Sequence, residues 1–385
     1  MFNQTITAVL ICAVCASCQQ SPKDEYATPE RVYTIEIYDS LQLQHSGMLL
    51  LSDYEDTKQM YLLYDYFGGD IIIANSKSEI IHQFNYKGDG KIGYNEIRGL
   101  SFLGANKIIA YGAYRYYIYE INGNFVASED IFDKKLLVNP LYDFKAPHFY
   151  APDSTLWLLV RGSTEDYGSP LYASFADAVN WISIYQPATQ KIQTGVTIPS
   201  GSIYQKYYYY HIIPQIALNK EDGQVAVLYP AEARAYVYNL PALDLIQSVT
   251  LSSEYFIQPK GLPFSNDEDR MRINAFQEAQ RAARYTTLQY LGNGMFMAYY
   301  RAGLPEERIV KDEKTYVETG LETYRNGYIQ IFNEKGLYCQ DIKLPAPTSG
   351  LYIATSMEHV VLAAETPEET AISKYYLARL TPVTN

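Results

Sequence analysis

Apolar and polar residues alternate along most of the chain in short runs, and these runs recur in groups of four. The clearest group is residues 97–131, where turn residues separate four segments that alternate with a period of two. A period of two places successive side chains on opposite faces of a strand, so the group predicts four short β-strands. Their predicted bounds are Ile97–Leu103, Lys107–Tyr111, Tyr116–Ile121 and Phe125–Ile131.

The third segment of the group is rich in aromatic residues, and it recurs before a polar turn at 117–119, 181–185, 236–238 and 328–332. A repeated unit of this size is typical of folds in which each unit buries its faces against its neighbours. The repeats predict six units, near residues 54–85, 97–131, 144–198, 212–251, 284–344 and 350–381.

The last of these units supplies only three strands, and the segment RVYTIEIYD at residues 31–39 is available as the fourth. A ring closed by strands from both ends of the chain protects the edge that would otherwise stay open in a β-propeller. We therefore predict an all-β protein, a six-bladed β-propeller closed by an N-terminal strand. Seven blades remain open if residues 41–56 pair on their own, and a large β-sandwich is the alternative fold.

The N-terminus carries an uncharged apolar run from Thr5 to Ala16, which has the length of a signal-peptide core and is too short to span a bilayer. Cys12, Cys15 and Cys18 have the spacing of iron–sulfur ligands, but such a cluster normally needs a fourth cysteine nearby. The stretch VCASC instead resembles the lipobox of bacterial lipoproteins, which implies cleavage before Cys18 and its lipidation. We predict a signal peptide at 1–17, a flexible tether at 18–30 and one propeller domain at 31–385.

The charge and the cysteine and tyrosine contents limit the expected partners and the source of stability. The chain has 385 residues and a formal net charge of −12 without a basic run, so nucleic acid is not an expected partner. After processing, Cys339 would be the remaining thiol, which leaves stability to an ordinary core. Tyrosine is abundant at 39 residues, and its large apolar body suits strands, so we assign this abundance to the fold.

Together, the lipobox, the repeated unit and the segment YKGDGKIGYNEIRGLSFL at residues 86–103 resemble the six-bladed propeller lipoproteins of Bacteroidetes known as the DUF4221 family. The resemblance covers essentially the whole mature chain. It implies that Gly88, Gly90, Gly93 and Glu96 form a turn before an innermost strand. It also implies a cell-envelope location, with a lipid anchor in the outer membrane and either a periplasmic or a surface-exposed domain, but no reaction.

Connection lengths distinguish the two faces of the predicted ring. The turns between the first and second and between the third and fourth strands are short, and we call their side the short-turn face. The other connections hold long inserts at 86–96, 132–143, 162–179, 199–211, 252–283 and 302–325. Long connections in compact domains are often functional, so this long-loop face is the predicted working face. One insert, SNDEDRMRINAFQEAQRAARY, predicts a helix capped by Ser265 or Asn266, with an apolar stripe that includes Met271, Phe276 and Ala279.

Candidate ligand-binding residues follow from this face. The starts of the innermost strands and matched positions on second strands carry His and Arg, and a tyrosine-rich run precedes one of them. Guanidinium groups bind carboxylates in a bidentate manner and stack on rings, which suits an anionic or sugar-like ligand. Salt bridges between loops and packing against the next blade are the alternatives for the same residues. The candidates are Arg98, His148, Arg161, Tyr208, Tyr210, His211, Arg284 and Arg301.

No metal-binding or hydrolase motif is present in the sequence, and no cofactor is predicted. The leading hypothesis is a membrane-anchored binding module whose long-loop face takes a ligand or a protein partner. The second hypothesis is a hydrolase or lyase with a His/Arg/Tyr cluster at the channel mouth, using His148 or His211 as base and Arg98 to hold an anion. The third is a structural subunit of an outer-membrane assembly.

Overall fold

A computed structural model shows six antiparallel β-sheets arranged as the blades of a propeller ring, as the repeats predict. In each blade the strands run from an innermost strand at the central channel to an outermost strand at the perimeter. The structure describes residues 32–88, 90, 92–112, 115–131, 136–137, 145–150, 153–162, 182–265, 267–304, 326–346, 348–364 and 372–383.

The first strand of the chain, β1 (Tyr33–Gln44), belongs to the last blade, and the next strands build blades 1 to 3. Blade 1 consists of β2 (Leu49–Glu55), β3 (Met60–Asp65), β4 (Ile71–Asn75) and β5 (Ile80–Phe84). Blade 2 consists of β6 (Gly99–Phe102), β7 (Lys107–Tyr111), β8 (Arg115–Glu120) and β9 (Phe125–Asp130). Blade 3 consists of β11 (His148–Tyr150), β12 (Leu156–Gly162), β13 (Ile182–Gln186) and β14 (Lys191–Val196), with β10 (Leu136–Leu137) paired to the end of β12.

Blades 4 to 6 follow the same order. Blade 4 consists of β15 (Gln215–Asn219), β16 (Gln224–Leu228), β17 (Arg234–Asn239) and β18 (Leu245–Thr250). Blade 5 consists of β19 (Arg284–Gly292), β20 (Met295–Arg301), β21 (Gly327–Asn333) and β22 (Gly336–Lys343). Blade 6 consists of β23 (Thr348–Ser356), β24 (His359–Ala364) and β25 (Ile372–Pro382), with β1 as its outermost strand.

The N-terminal strand closes the ring as predicted. β1 pairs with β25 antiparallel, from Tyr33 opposite Pro382 to Gln44 opposite Ile372. The pairing also decides the number of blades: residues 41–44 belong to β1, and residues 49–55 form the innermost strand of blade 1. No separate seventh blade remains for residues 41–56, and blade 1 begins earlier than the predicted residue 54.

The core is divided among the six interfaces between neighbouring blades, and each interface has its own cluster of buried apolar side chains. Between blades 6 and 1, for example, Leu41 packs with Ile72 and Leu377. Full burial of one such side chain stabilises the fold by about 1.5–3 kcal/mol. Every blade therefore depends on both of its neighbours for burial of its two faces.

Tyrosine is a core residue of these interfaces. Eight of the eleven largest fully buried side chains are tyrosines. Several hydroxyl groups have backbone acceptors: Tyr94 donates to Gly69 O at 2.6 Å, and Tyr119 donates to Ile92 O at 2.7 Å. A hydrogen bond removes most of the cost of burying a hydroxyl group. The buried tyrosines thus support our assignment of the tyrosine content to the fold.

The predicted helix is present as α1 (Glu268–Arg281), on the long-loop face. Its cap is Asp267, whose Oδ1 accepts a hydrogen bond from Arg270 N at 3.2 Å, whereas the predicted cap Ser265 accepts one from Asp267 N. Met271 and Ala279 are buried as expected. Phe276, also assigned to the apolar stripe, is 44 % exposed. That part of the prediction is wrong, because the helix buries the side that holds its alanines.

The predictions for the N-terminus, for Cys339 and for membrane crossing have different outcomes. Residues 1–31 lie outside the described residues, so the signal peptide, the tether and lipidation at Cys18 stay predictions. Cys339 is a buried free thiol. Within the described residues, no helix has the length and apolar character needed to cross a bilayer.

Replacement of Leu41 by alanine tests the closure of the ring. Leu41 is fully buried between blades 6 and 1, so Leu41→Ala should lower the free energy of unfolding by about 2–5 kcal/mol. Gln44→Ala on the same strand changes an exposed side chain and should alter it by less than about 0.5 kcal/mol. Urea unfolding of the two variants measures the difference, and equal stabilities would contradict the role assigned to β1.

Candidate functional site

The innermost strands of the six blades surround a cavity of about 350 Å³ in the central channel. All six blades contribute lining residues, so the complete ring is needed to form it. The polar lining residues that matter below are Asp53, Ser101, Lys145, His148, Lys220, Gln289, Tyr290 and Thr355.

The cavity lies toward the short-turn face. In blades 4, 5 and 6 its lining residues stand at or just beyond the ends of the innermost strands, where the turn to the second strand begins: Lys220 follows the end of β15, Gly292 ends β19, and Thr355 is the penultimate residue of β23. Blade 3 is the exception, because its lining residues 145–148 precede or begin β11. The candidates predicted from the sequence were instead placed on the long-loop face, at the starts of innermost strands or at the ends of second strands. Of these candidates, His148 lines the channel cavity. The sequence therefore did not predict a cavity at this depth in the channel.

Lys145 contacts two other lining residues of the cavity. Its Nζ donates to Gln289 Oε1 at 3.1 Å and lies 3.5 Å from Asp53 Oδ1. The Asp53 carboxylate also accepts hydrogen bonds from the backbone N–H groups of Tyr54 and Phe102. Asp53 therefore neutralises one lysine while it also links blades 1 and 2.

His148 and Lys220 form the second polar pair. His148 is 4 % exposed, with Nδ1 at 2.9 Å from Ala146 O and Nε2 at 3.4 Å from Lys220 Nζ. A carbonyl oxygen only accepts, so Nδ1 carries the proton and Nε2 accepts from Lys220. Burial, together with the nearby charge of Lys220, lowers the pKa of His148 to about 3. The imidazole is thus neutral at physiological pH.

Lys220 is held at the cavity mouth by its turn. The side-chain oxygen of the buried Asn219 accepts hydrogen bonds from Glu221 N at 3.1 Å and Asp222 N at 3.0 Å, which fixes the turn after β15. On the rim, Tyr290 donates to Glu221 at 2.8 Å. The Lys220 side chain keeps exposed surface, so it is reachable from the channel mouth. Desolvation by the surrounding protein lowers the pKa of Lys220; Asp53 opposes this shift and Lys145 adds to it.

Two buried polar atoms of the lining have no hydrogen-bond partner among the described residues. They are Nε2 of Gln289, a side chain that is 3 % exposed, and Oγ1 of Thr355. A buried donor without an acceptor costs about 1–3 kcal/mol, and such groups often mark the position of a ligand or an ordered water. The Gln289 amide nitrogen is therefore a donor that no described residue of the protein uses.

Four of the residues predicted from the sequence meet beneath α1 on the long-loop face. Tyr208, Tyr210, His211 and Arg284 line a small cavity of about 20 Å³. His211 Nε2 lies 2.9 Å from Arg284 Nη1, and the Tyr210 ring packs edge-on against Phe276 of the helix. This cavity is too small for a metabolite, since ligand pockets usually exceed about 300 Å³.

Of the other four predicted residues, Arg301 lies on β20 opposite Arg284, and the remaining three belong to blades 2 and 3. His148 lies in the channel cavity, Arg98 pairs with Glu96 at 3.1 Å, and Arg301 donates to Ser349 O at 3.2 Å. Arg161 stands on β12 opposite Leu137, and its side chain is outside the described residues. The eight residues therefore do not share one cavity, and ligand binding by them stays a prediction.

A cluster of possible metal ligands occurs at the long-loop end of blade 1, where side-chain atoms of His45, Asp65 and Asp70 lie within 4.8 Å of one another. The Asp65 carboxylate accepts from His45 Nε2 at 2.8 Å and from the N–H groups of Phe67 and Gly68. Burial raises the pKa of Asp65, but these hydrogen bonds outweigh it and hold the pKa below its usual value. The described geometry is that of a hydrogen-bonded turn.

Sequence reasoning missed Lys145, Lys220, Asp53 and Gln289. A signal was available for two of them, since Asp53 and Gln289 are polar residues within predicted innermost strands. Lys220 stands in the turn NKEDG, where a charged residue is expected on any surface, and Lys145 precedes its strand. Only the closed ring shows that both lysines reach the channel.

The neutral state of His148 predicts a pH dependence of stability. Below its ordinary pKa of 6.5, the unfolded chain takes up a proton that the folded protein binds only near pH 3, so stability falls as the pH falls through this range. The loss should be roughly 3 kcal/mol between pH 6.5 and pH 4. His148→Asn keeps a donor for Ala146 O and should flatten this slope in urea unfolding. His82→Asn is the control, and equal slopes for wild type and His148→Asn would contradict the assignment.

Comparison with known proteins supports the fold. No protein-family profile and no curated protein matches the chain. Among solved structures, a DUF4221 member from Bacteroides vulgatus is 11 % identical, with a TM-score of 0.66 over 92 % of this chain and 100 % of that one. A putative exported protein from Bacteroides fragilis is 11 % identical, with a TM-score of 0.51 over 92 % of this chain and 95 % of that one.

These similarities agree with the resemblance noted in the sequence. The predicted six-bladed propeller, with a DUF4221 protein among its structural neighbours, is confirmed. At 11 % identity the likeness establishes a shared fold alone. The ligand of this chain has to be inferred from its own residues.

Proposed function

We propose that the protein is a binding module of the cell envelope that takes a small anionic ligand, such as a carboxylate, in its channel cavity. The observation that carries this proposal is the convergence of three donors on one cavity: Lys145, Lys220 and Gln289 Nε2, which has no described acceptor. The fold of the neighbours is consistent with a binding module.

Lys220 is the group of the cavity that favours an anion. Lys145 is close to Asp53, but Lys220 makes no ion pair within the described part of the chain, and its described polar contact is the neutral His148. The surrounding protein is acidic, with a net charge of −12. An anion that enters the channel gains charge-assisted hydrogen bonds, which are stronger than those between neutral groups.

The size of the cavity limits the ligand. A volume of about 350 Å³ is near the lower end of the range for pockets that bury small molecules, about 300–1,000 Å³. A metabolite of a few carbon atoms fits this space, whereas a folded protein partner does not reach the lysines. A protein partner of the long-loop face stays a separate prediction.

The described residues do not form the His/Arg cluster that the hydrolase or lyase hypothesis requires. It requires His148 or His211 beside Arg98, but Arg98 pairs with Glu96 on the surface, and the two histidines line different cavities. The hypothesis of a structural subunit in an outer-membrane assembly stays a prediction.

The location is part of the proposal. An exported structural neighbour is consistent with an envelope protein. The lipobox-like segment supports cleavage before Cys18, lipidation of that cysteine and attachment to the outer membrane by residues 18–30. A diacylated cysteine provides the two chains that stable membrane anchoring requires.

Substitution of the lysines tests the anion site. Lys220→Met and Lys145→Met each remove one charged donor and should raise the dissociation constants for pyruvate and succinate about tenfold or more. Isothermal titration and thermal-shift measurements give these constants. Lys107→Met is the matched control, because it removes the same charge from an exposed position at the start of β7. Absence of carboxylate binding by the wild type, or equal loss in the control, would refute the channel site.

The lipid anchor has its own test. Cys18→Ala should abolish incorporation of radiolabelled palmitate in cells and release the protein from the membrane fraction, because the acceptor thiol is lost. Cys12→Ala changes a cysteine within the predicted signal peptide and should leave labelling unchanged. Label that persists in Cys18→Ala would overturn the assignment.

A further inference from the structure

We propose that Lys220 is a nucleophilic amine that forms an imine with small α-keto acids or carboxylate-bearing aldehydes bound in the channel cavity. The inference rests on the proposed anion site and adds a covalent step to it. It identifies the chemical class of the ligand by two groups, a carboxylate and a carbonyl carbon.

The position of the Lys220 amine carries the inference. Nζ lies 3.4 Å from His148 Nε2, which is a neutral acceptor because Nδ1 donates its proton to Ala146 O. The amine is therefore oriented by a hydrogen bond to an uncharged partner. A carboxylate partner would instead favour the ammonium form, and among the described residues Lys220 has no such ion pair.

Four titratable side chains lie around Lys220. Lys145 and Asp53 reach the cavity from blades 3 and 1, His148 is neutral, and Glu221 on the rim accepts from Tyr290. The surrounding protein partly desolvates the amine and so lowers the pKa of Lys220; Asp53 opposes the shift and Lys145 strengthens it. Desolvation beside another cation is a known way to keep a lysine amine nucleophilic.

The same cavity supplies the rest of the recognition. The ammonium of Lys145 and the Gln289 Nε2 donor suit a carboxylate, while Lys220 stands at the mouth with exposed surface. A ligand with its carboxylate toward Lys145 presents an adjacent carbonyl carbon to the amine. A ligand that has only a carboxylate binds without reacting.

The step balances without an oxidant or a further reactant. Lys220, after loss of its ammonium proton to solvent, attacks the carbonyl carbon through the nitrogen lone pair and forms a carbinolamine. The amine nitrogen gives up its two protons, the carbonyl oxygen gains two, and this oxygen leaves as water. The C–O double bond is replaced by a C–N double bond, which water hydrolyses in the reverse reaction.

Reductive trapping tests the proposal on the full chain. Pyruvate with sodium cyanoborohydride, added at near-neutral pH, should give one main adduct, and peptide mapping by mass spectrometry should place it on Lys220. Lys220→Arg should lose this adduct, whereas the control Lys107→Arg should keep it. Lys145→Met should slow the trapping at least tenfold, and acetone, which lacks the carboxylate, should label Lys220 more slowly than pyruvate.

The outcomes separate this inference from the binding function on which it rests. Carboxylate binding that depends on Lys145 and Lys220 but gives no trapped adduct would overturn the imine and leave the binding function. Adducts spread over surface lysines at equal rates would also overturn it. If pyruvate neither binds nor reacts, both the proposed function and the imine fail. The rate of trapping should rise with pH around neutrality. Asp53 raises the pKa of Lys220 and Lys145 lowers it. The pH profile should therefore move to higher pH in Lys145→Met and to lower pH in Asp53→Asn.

Discussion

The pairing of β1 with β25 is the constraint on which the rest of the structure depends. Each blade buries its two faces only against neighbouring blades, and the cluster that contains Leu41, Ile72 and Leu377 exists only when the first and last blades meet. Eleven residue pairs, from Tyr33–Pro382 to Gln44–Ile372, hold this closure. Because the interfaces form a circle, a weak closure exposes apolar surface on blades 6 and 1 at the same time.

Closure also creates the cavity. Asp53 and Thr355 are separated by most of the chain, yet they line the same channel as the lysines of blades 3 and 4. The arrangement combines a neutral histidine, two lysines and an amide nitrogen without a described acceptor. Asp53 and Glu221 balance the two lysines in formal charge, so the channel is less negative than the acidic surface around it, which lowers the electrostatic cost of binding an anion there.

The sequence predicted the fold well because the information is local. The aromatic third strands, such as 117–119 and 236–238, are short apolar runs that end at polar turns, so each blade could be identified alone. The site is a different problem. Whether Lys220 lies in solvent or in the channel depends on the turn fixed by Asn219 and on the twist of a whole blade. The tyrosine run 207–210 shows the same limit: it is a loop in which Tyr207 and Tyr210 are exposed and Tyr208 and Tyr209 are buried, an order that simple alternation does not produce.

The closure of the ring also makes one blade unlike the others. Blades 1 to 5 each take their strands from one continuous stretch of chain, whereas blade 6 combines β1 with β23 to β25, and Val383 N donates to Val32 O at the seam. A chain cut before residue 372 would thus keep five complete blades, while β1 would lose its partner and β24 would present an open edge.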